Sequence, residues 1–75
     1  MAKRRKLKRE DKQLANQIRA LRKTQGMTQE ELSARLGLSL TYIAHVETYR
    51  RGLSLPVVYR IAKLFGVRVR DLFRF

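Results

Sequence analysis

From Leu14 onward the apolar residues of this chain recur at helical spacing. Leu14, Ile18 and Leu21 fall at i, i+4 and i+7 and predict a first helix that ends before Gly26. In "TQEEL", Thr28 and Glu31 have capping-box spacing, hydroxyl to a first-turn N–H and carboxylate back to the cap N–H. A second helix therefore starts there, passes through Leu32 and Leu36, and stops at Gly37, a residue suited to a left-handed C-terminal position. Ser39 is placed to cap a third helix reaching about Thr48, with Ile43 and Val46 turned inward. Ser54 is placed to cap a fourth over Leu55–Phe65, whose first turn accepts Pro56 because no N–H is needed there. Gly66 ends it. A short last helix over about Arg68–Phe73 is expected to bury Val67, Leu72 and Phe73. "VRVR" is too short an alternation to predict a strand, so the class is all-α.

Helices two and three form one unit. Counting Gln29 as its first place, apolar residues occupy places 4, 8, 10, 15 and 18, namely Leu32, Leu36, Leu38, Ile43 and Val46. Gly37 stands at place 9, where a tight turn needs positive φ, and Ser33 at place 5, where two crossing helices leave little room. Two helices of about eight residues joined in this way read as a helix-turn-helix.

Charge adds the kind of partner. The 75 residues carry a net charge of +12, which points to a polyanion: DNA, RNA or an anionic membrane surface. The first twelve residues, "MAKRRKLKREDK", hold seven basic and two acidic side chains. They read as a basic arm, solvated in part or extending helix 1, ahead of a domain over residues 13–75. The cations avoid the centre of the chain. "GLSLTYIAHVET", residues 37–48, has no lysine or arginine, and Arg50 and Arg51 follow it at once. From Thr28 to Glu47 the net charge is −2, which leaves +14 on the remainder.

The chain has no cysteine and a single histidine, so neither a disulfide framework nor a thiolate zinc site is available, and His45 has no second ligand of its kind. No cofactor or small-molecule ligand is expected. No apolar run approaches the roughly 18 residues of a membrane span, and the basic start lacks the apolar segment of a signal peptide. An intracellular, cytoplasmic protein without membrane attachment is the expectation. Glu30 and Glu31 are adjacent on a helix and point apart, favoured there by the helix dipole rather than as an acid–base dyad. With no nucleophile–base arrangement visible, an enzyme is not expected.

The segments "IRALRKTQGMTQEELSARLGLSLTYIAHVE" and "SLPVVYRIAKLFGVRVRDLF" resemble the Cro/C1-type helix-turn-helix family of phage repressors and bacterial regulators. "TYI", "RGLSL" and the small size are similar in particular to the controller proteins of restriction–modification systems. The resemblance implies a compact five-helix domain whose third helix enters the major groove of double-stranded DNA, as a homodimer on a two-fold symmetric operator. It implies that Gln29 touches a phosphate and that Arg22 and Glu47 form an ion pair tying helix 1 to helix 3. It places Leu40, Thr41, Tyr42 and His45 at the base-reading positions. Leu40 and Tyr49 depart from the family, which more often has glutamine or arginine at the first and glycine at the second. Leu53 stands in place of a common proline.

The uncharged stretch then has a physical sense. A reading helix must discriminate between base edges, whereas lysine and arginine bind every phosphate alike. Thr41, Tyr42 and His45 offer hydrogen-bonding groups, and Leu40 offers an apolar surface for a thymine methyl. Phosphate contacts are expected from Thr28, Gln29, Ser39, Arg50 and Arg51, and from Arg4 and Arg5 in the arm. Leu72, Phe73 and Phe75 are the expected dimer seam. The alternative is a protein-interaction module of the same fold, antitoxin-like or coactivator-like, that uses the C-terminal aromatics on a partner.

Overall fold

The computed structural model describes residues 8–75. Four α-helices follow in order: α1 (Arg9–Thr24), α2 (Gln29–Leu36), α3 (Leu40–Glu47) and α4 (Leu55–Phe65); a 3₁₀ helix over Val69–Phe73 closes the chain. The helix-turn-helix lies at α2 and α3, and the described residues are all helix, turn and loop.

Each start and stop has a local cause. α1 begins at Arg9, so the last residues of the basic arm are its first turn. The Lys8 N–H donates to Asp11 Oδ2 at 2.9 Å, and Glu10 and Asp11 put acid at the positive end of the helix dipole. At α2 the box closes in both directions: the Glu31 N–H donates to Thr28 Oγ1 and the Thr28 N–H to Glu31 Oε1, each at 3.0 Å. Those bonds hold the Glu31 carboxyl below the usual carboxylate range, as does the nearby Arg35. Ser39 caps α3, its Oγ accepting the Tyr42 N–H at 3.1 Å.

Two expectations are corrected. Ser54 stands at the N-cap of α4 with extended backbone, but its side chain makes no capping bond. Pro56 in the first turn has no N–H, which removes one of the donors such a cap would use. The fifth element is a 3₁₀ helix of five residues instead of a short α-helix. A segment this short forms few i→i−4 bonds to offset its nucleation, so the tighter 3₁₀ form prevails. Its first turn is fixed by Asp71, whose Oδ2 accepts the Arg68 N–H at 3.0 Å.

The core gathers one face of every helix: Leu14 and Ile18 from α1, Leu32 and Leu36 from α2, Ile43 from α3, and Val57, Val58 and Ile61 from α4. Leu72 joins them with no exposed surface, so it belongs to the protomer's own core and is unavailable to a dimer seam. Phe73, expected to be buried, is 44% exposed, and Phe75 is 52% exposed. Fully burying a leucine or isoleucine contributes about 1.5–3 kcal/mol, and Leu32 and Ile61 are both sealed at the centre. The helix-turn-helix therefore rests on a platform made by α1, α4 and the C-terminal turn.

Candidate nucleic-acid interface

The turn between α2 and α3 sets how the third helix projects. Gly37 has φ +68°, a left-handed conformation that costs a residue with a Cβ about 1–2 kcal/mol. The Leu38 N–H returns to the Ser33 carbonyl at 2.9 Å, closing the end of α2. Ser33 is buried at the helix crossing and satisfies its hydroxyl on the Glu30 carbonyl at 2.8 Å.

With Ile43 and Val46 anchored in the interior, α3 turns its other side outward. Leu40 is 45% exposed, Thr41 is exposed, and Tyr42 and His45 are half-buried. That face carries an alkyl surface, a hydroxyl, a phenol and an imidazole, without a lysine or arginine on the helix. Immediately beyond it Arg50 and Arg51 are exposed. The Arg51 guanidinium sits 4.6 Å from the centroid of the Tyr42 ring, so one of these cations stacks on a side chain of the outer face. Thr28 and Ser39 are exposed and Gln29 is half-buried, all at the N-terminal ends of α2 and α3. Arg4 and Arg5 lie outside the described residues.

A buried polar cluster fixes the orientation of α3. Arg22 donates to both oxygens of Glu47, Nε to Oε2 at 2.8 Å and Nη2 to Oε1 at 2.9 Å, and its Nη1 reaches the Met27 carbonyl at 2.7 Å. Gln29 Nε2 donates to Glu47 Oε1 at 3.0 Å. One carboxylate thereby joins α1, the start of α2 and the end of α3. Burial pushes the Glu47 carboxyl up, but the hydrogen bonds from Arg22 and Gln29 and the charge of Arg22 outweigh it and hold the group below its usual range. The hydrogen bond to Glu47 raises the pKa of Arg22 against the opposing effect of burial. Both shifts favour the charged pair.

Two residues beyond α3 stands Tyr49, the only non-glycine residue with positive φ among those described, at +63°. Its phenol donates to Asn16 Oδ1 on α1, and Lys12 Nζ lies 6.0 Å from its ring centroid. The strained position thus carries a ring that reaches across to the first helix. The sequence contains no local signal for this contact, for the Arg51–Tyr42 stack, or for the contact of Arg60 on α4. Arg60 Nη1 donates to the Leu36 carbonyl at 3.0 Å, satisfying the end of α2 from α4.

Two short helices meeting through a left-handed glycine, the second presenting an uncharged face between cations, define a helix-turn-helix protein. The model of the helix-turn-helix family matches residues 18–72. An uncharacterized HTH-type transcriptional regulator of Archaeoglobus fulgidus is 39% identical over 62 residues, covering 83% of this chain and 89% of that one. The solved restriction-modification controller protein C.AhdI from Aeromonas hydrophila has a TM-score of 0.76 at 31% identity, over 83% of this chain and 94% of that one. The controller protein C.Esp1396I gives 0.79 at 28% identity, over 89% and 86%. The chain belongs to the helix-turn-helix family of the Cro/C1, XRE-like type, a non-catalytic class of DNA-binding transcriptional regulators, and is similar to restriction–modification controller proteins. Among the described residues no helix is long and apolar enough to cross a membrane.

Proposed function

We propose that this protein is a sequence-specific regulator that lays α3 in the major groove of double-stranded DNA and binds as a homodimer on a two-fold symmetric operator. The observation that carries this reading is the outer face of α3. Leu40, Thr41, Tyr42 and His45 offer base-edge chemistry, and the phosphate-seeking cations stand at its end in Arg50 and Arg51. Thr28, Gln29 and Ser39 supply neutral donors at helix N-termini, where backbone N–H groups also favour phosphate. Phe73 and Phe75, with ring centroids 6.2 Å apart, form an exposed aromatic pair that suits the dimer seam. The same pair supports the second reading, a module of this fold that holds another protein.

Selection from random duplexes followed by titration tests the proposal. Thr41→Ala and His45→Ala should each lose about 1–3 kcal/mol of discrimination between the selected site and random DNA, with the salt dependence little changed. Arg50→Gln should instead weaken binding on both duplexes alike and flatten the log K versus log salt slope by about 0.9 for each phosphate it no longer neutralises. Failure to enrich any sequence, with a monomer at all concentrations, would favour the protein-holding module.

A further inference from the structure

Two neighbouring flanks of α1 differ in character. Arg9, Lys12, Asn16, Arg19 and Lys23 recur at i, i+3, i+7, i+10 and i+14, so they line one flank of the helix, and all five are exposed. Glu10, Gln13, Gln17, Ala20 and Thr24 follow the same spacing on the neighbouring flank, which carries no cation and whose two glutamines are half-buried. A helix that used charge only for solvation would spread it over both flanks and set acids four residues from its cations. Here Glu10 heads the other flank, neither it nor Asp11 lies three or four residues from a cation of the charged stripe, and the cations repel one another at i, i+3 and i, i+4 spacing. Asn16, the neutral member, accepts the Tyr49 hydroxyl, and Lys12 stands over the Tyr49 ring. The charged flank is therefore the one that adjoins Tyr49, just past the end of α3 and next in sequence to Arg50 and Arg51. Farther along, Arg19 is close enough to act on the Glu47 carboxyl, which Gln29 ties to the start of α2.

We infer that this flank of α1 is a second phosphate-binding ridge, which holds the backbone of the same duplex beside the base pairs that α3 reads. The inference rests on the function proposed above and adds to it a whole helix that the helix-turn-helix unit does not include. The stripe runs about 21 Å at 1.5 Å per residue, long enough to meet more than one phosphate of a DNA strand. A linear row of cations with a neutral spacer fits a linear polyanion. It does not fit a compact anion, which would need the cations to converge on one point.

The test replaces Arg9, Arg19 and Lys23 with glutamine and leaves Lys12 and Asn16 in place against Tyr49. A second variant adds Gln13→Lys, Gln17→Lys and Thr24→Lys to the first, which restores the net charge on the flank that has no cation. Circular dichroism checks that both fold. On a duplex selected by the wild-type protein, the first variant should flatten the log K versus log salt slope by about 0.9 for each phosphate released, so by about two to three per protomer. The second variant should remain flattened, because the charge has returned on the wrong side. A wild-type slope in the first variant overturns the ridge, as does recovery in the second, which would show net charge acting without position. A loss confined to a single-stranded RNA of equal length, with the duplex unaffected, also overturns it. Failure of the underlying function is read separately: the wild-type protein would then select no duplex at all.

Discussion

Replacing Glu47 with glutamine keeps the size and shape of the side chain and removes the charge. Arg22, 8% exposed, would keep its bond to the Met27 carbonyl, but its guanidinium would meet a neutral amide in place of two carboxylate oxygens. One amide oxygen cannot satisfy Nε, Nη2 and the Gln29 amide together, and the amide nitrogen would face donors. Removing one partner of a buried pair costs about 3–5 kcal/mol, against at most about 1 for an exposed pair. The retained bond to Met27 argues for the lower end, about 3 kcal/mol. A domain of this size has a total stability of about 4–11 kcal/mol, so the change is a large part of it. It corresponds to a melting temperature lower by about 12–24 °C. Thermal and urea denaturation at neutral pH measure it, with the double variant Arg22→Met/Glu47→Leu alongside, which should recover much of the loss because no charge is left stranded. The carboxyl is held low in the folded state, so its contribution is complete above the ordinary carboxylate range and disappears as pH falls through the lower folded value. The Glu47→Gln variant should accordingly show a shallower loss of stability in acid. A loss below about 1 kcal/mol, or acid sensitivity equal to wild type, would refute the buried-pair account.

Tyr49→Phe retains the left-handed strain and loses the hydrogen bond to Asn16, whereas Tyr49→Gly relieves about 1–2 kcal/mol of strain as it loses the ring. Urea midpoints should therefore rank the glycine variant above the phenylalanine variant, and the reverse order would show that packing of the ring dominates. Gly37→Ala should destabilise by about 1–2 kcal/mol through the backbone alone, because an added Cβ there meets no atom within 4 Å. An unchanged melting temperature in calorimetry would contradict a left-handed penalty at that turn.

The elements were legible because their signals are local. Thr28 with Glu31, Gly37, Ser39 and the limits Leu55–Phe65 can each be read from residues within one or two turns. The inward positions of the helix-turn-helix were legible for the same reason, since spacing alone puts Leu32, Leu36, Ile43 and Val46 on shared faces. The family resemblance supplied the pairing of Arg22 with Glu47, which spacing could not, because the two are 25 residues apart. Interactions specific to this chain stayed hidden. Tyr49 reaches Asn16 across 33 residues and Arg60 reaches the Leu36 carbonyl across 24, and neither has a periodic signature. The C-terminal end misled for a different reason: Leu72 is buried as expected and so is lost to a seam, whereas Phe73 stays exposed, and spacing does not say which aromatic or leucine the chain's own core will take.

The bond from Gln29 to Glu47 has a consequence for the thermodynamics of association. A glutamine at the tip of a helix ordinarily samples many rotamers and must be frozen when a ligand arrives, at about 0.5–1.5 kcal/mol for a side chain of this kind. In this protein the carboxylate that ties α1 to α3 also restrains that amide, so the ordering takes place when the chain folds. Its carbonyl and amide ends are told apart by the same acceptor before any ligand is present. The conformational entropy lost at this position thus belongs to the folding equilibrium. The binding equilibrium inherits a donor group already held in place.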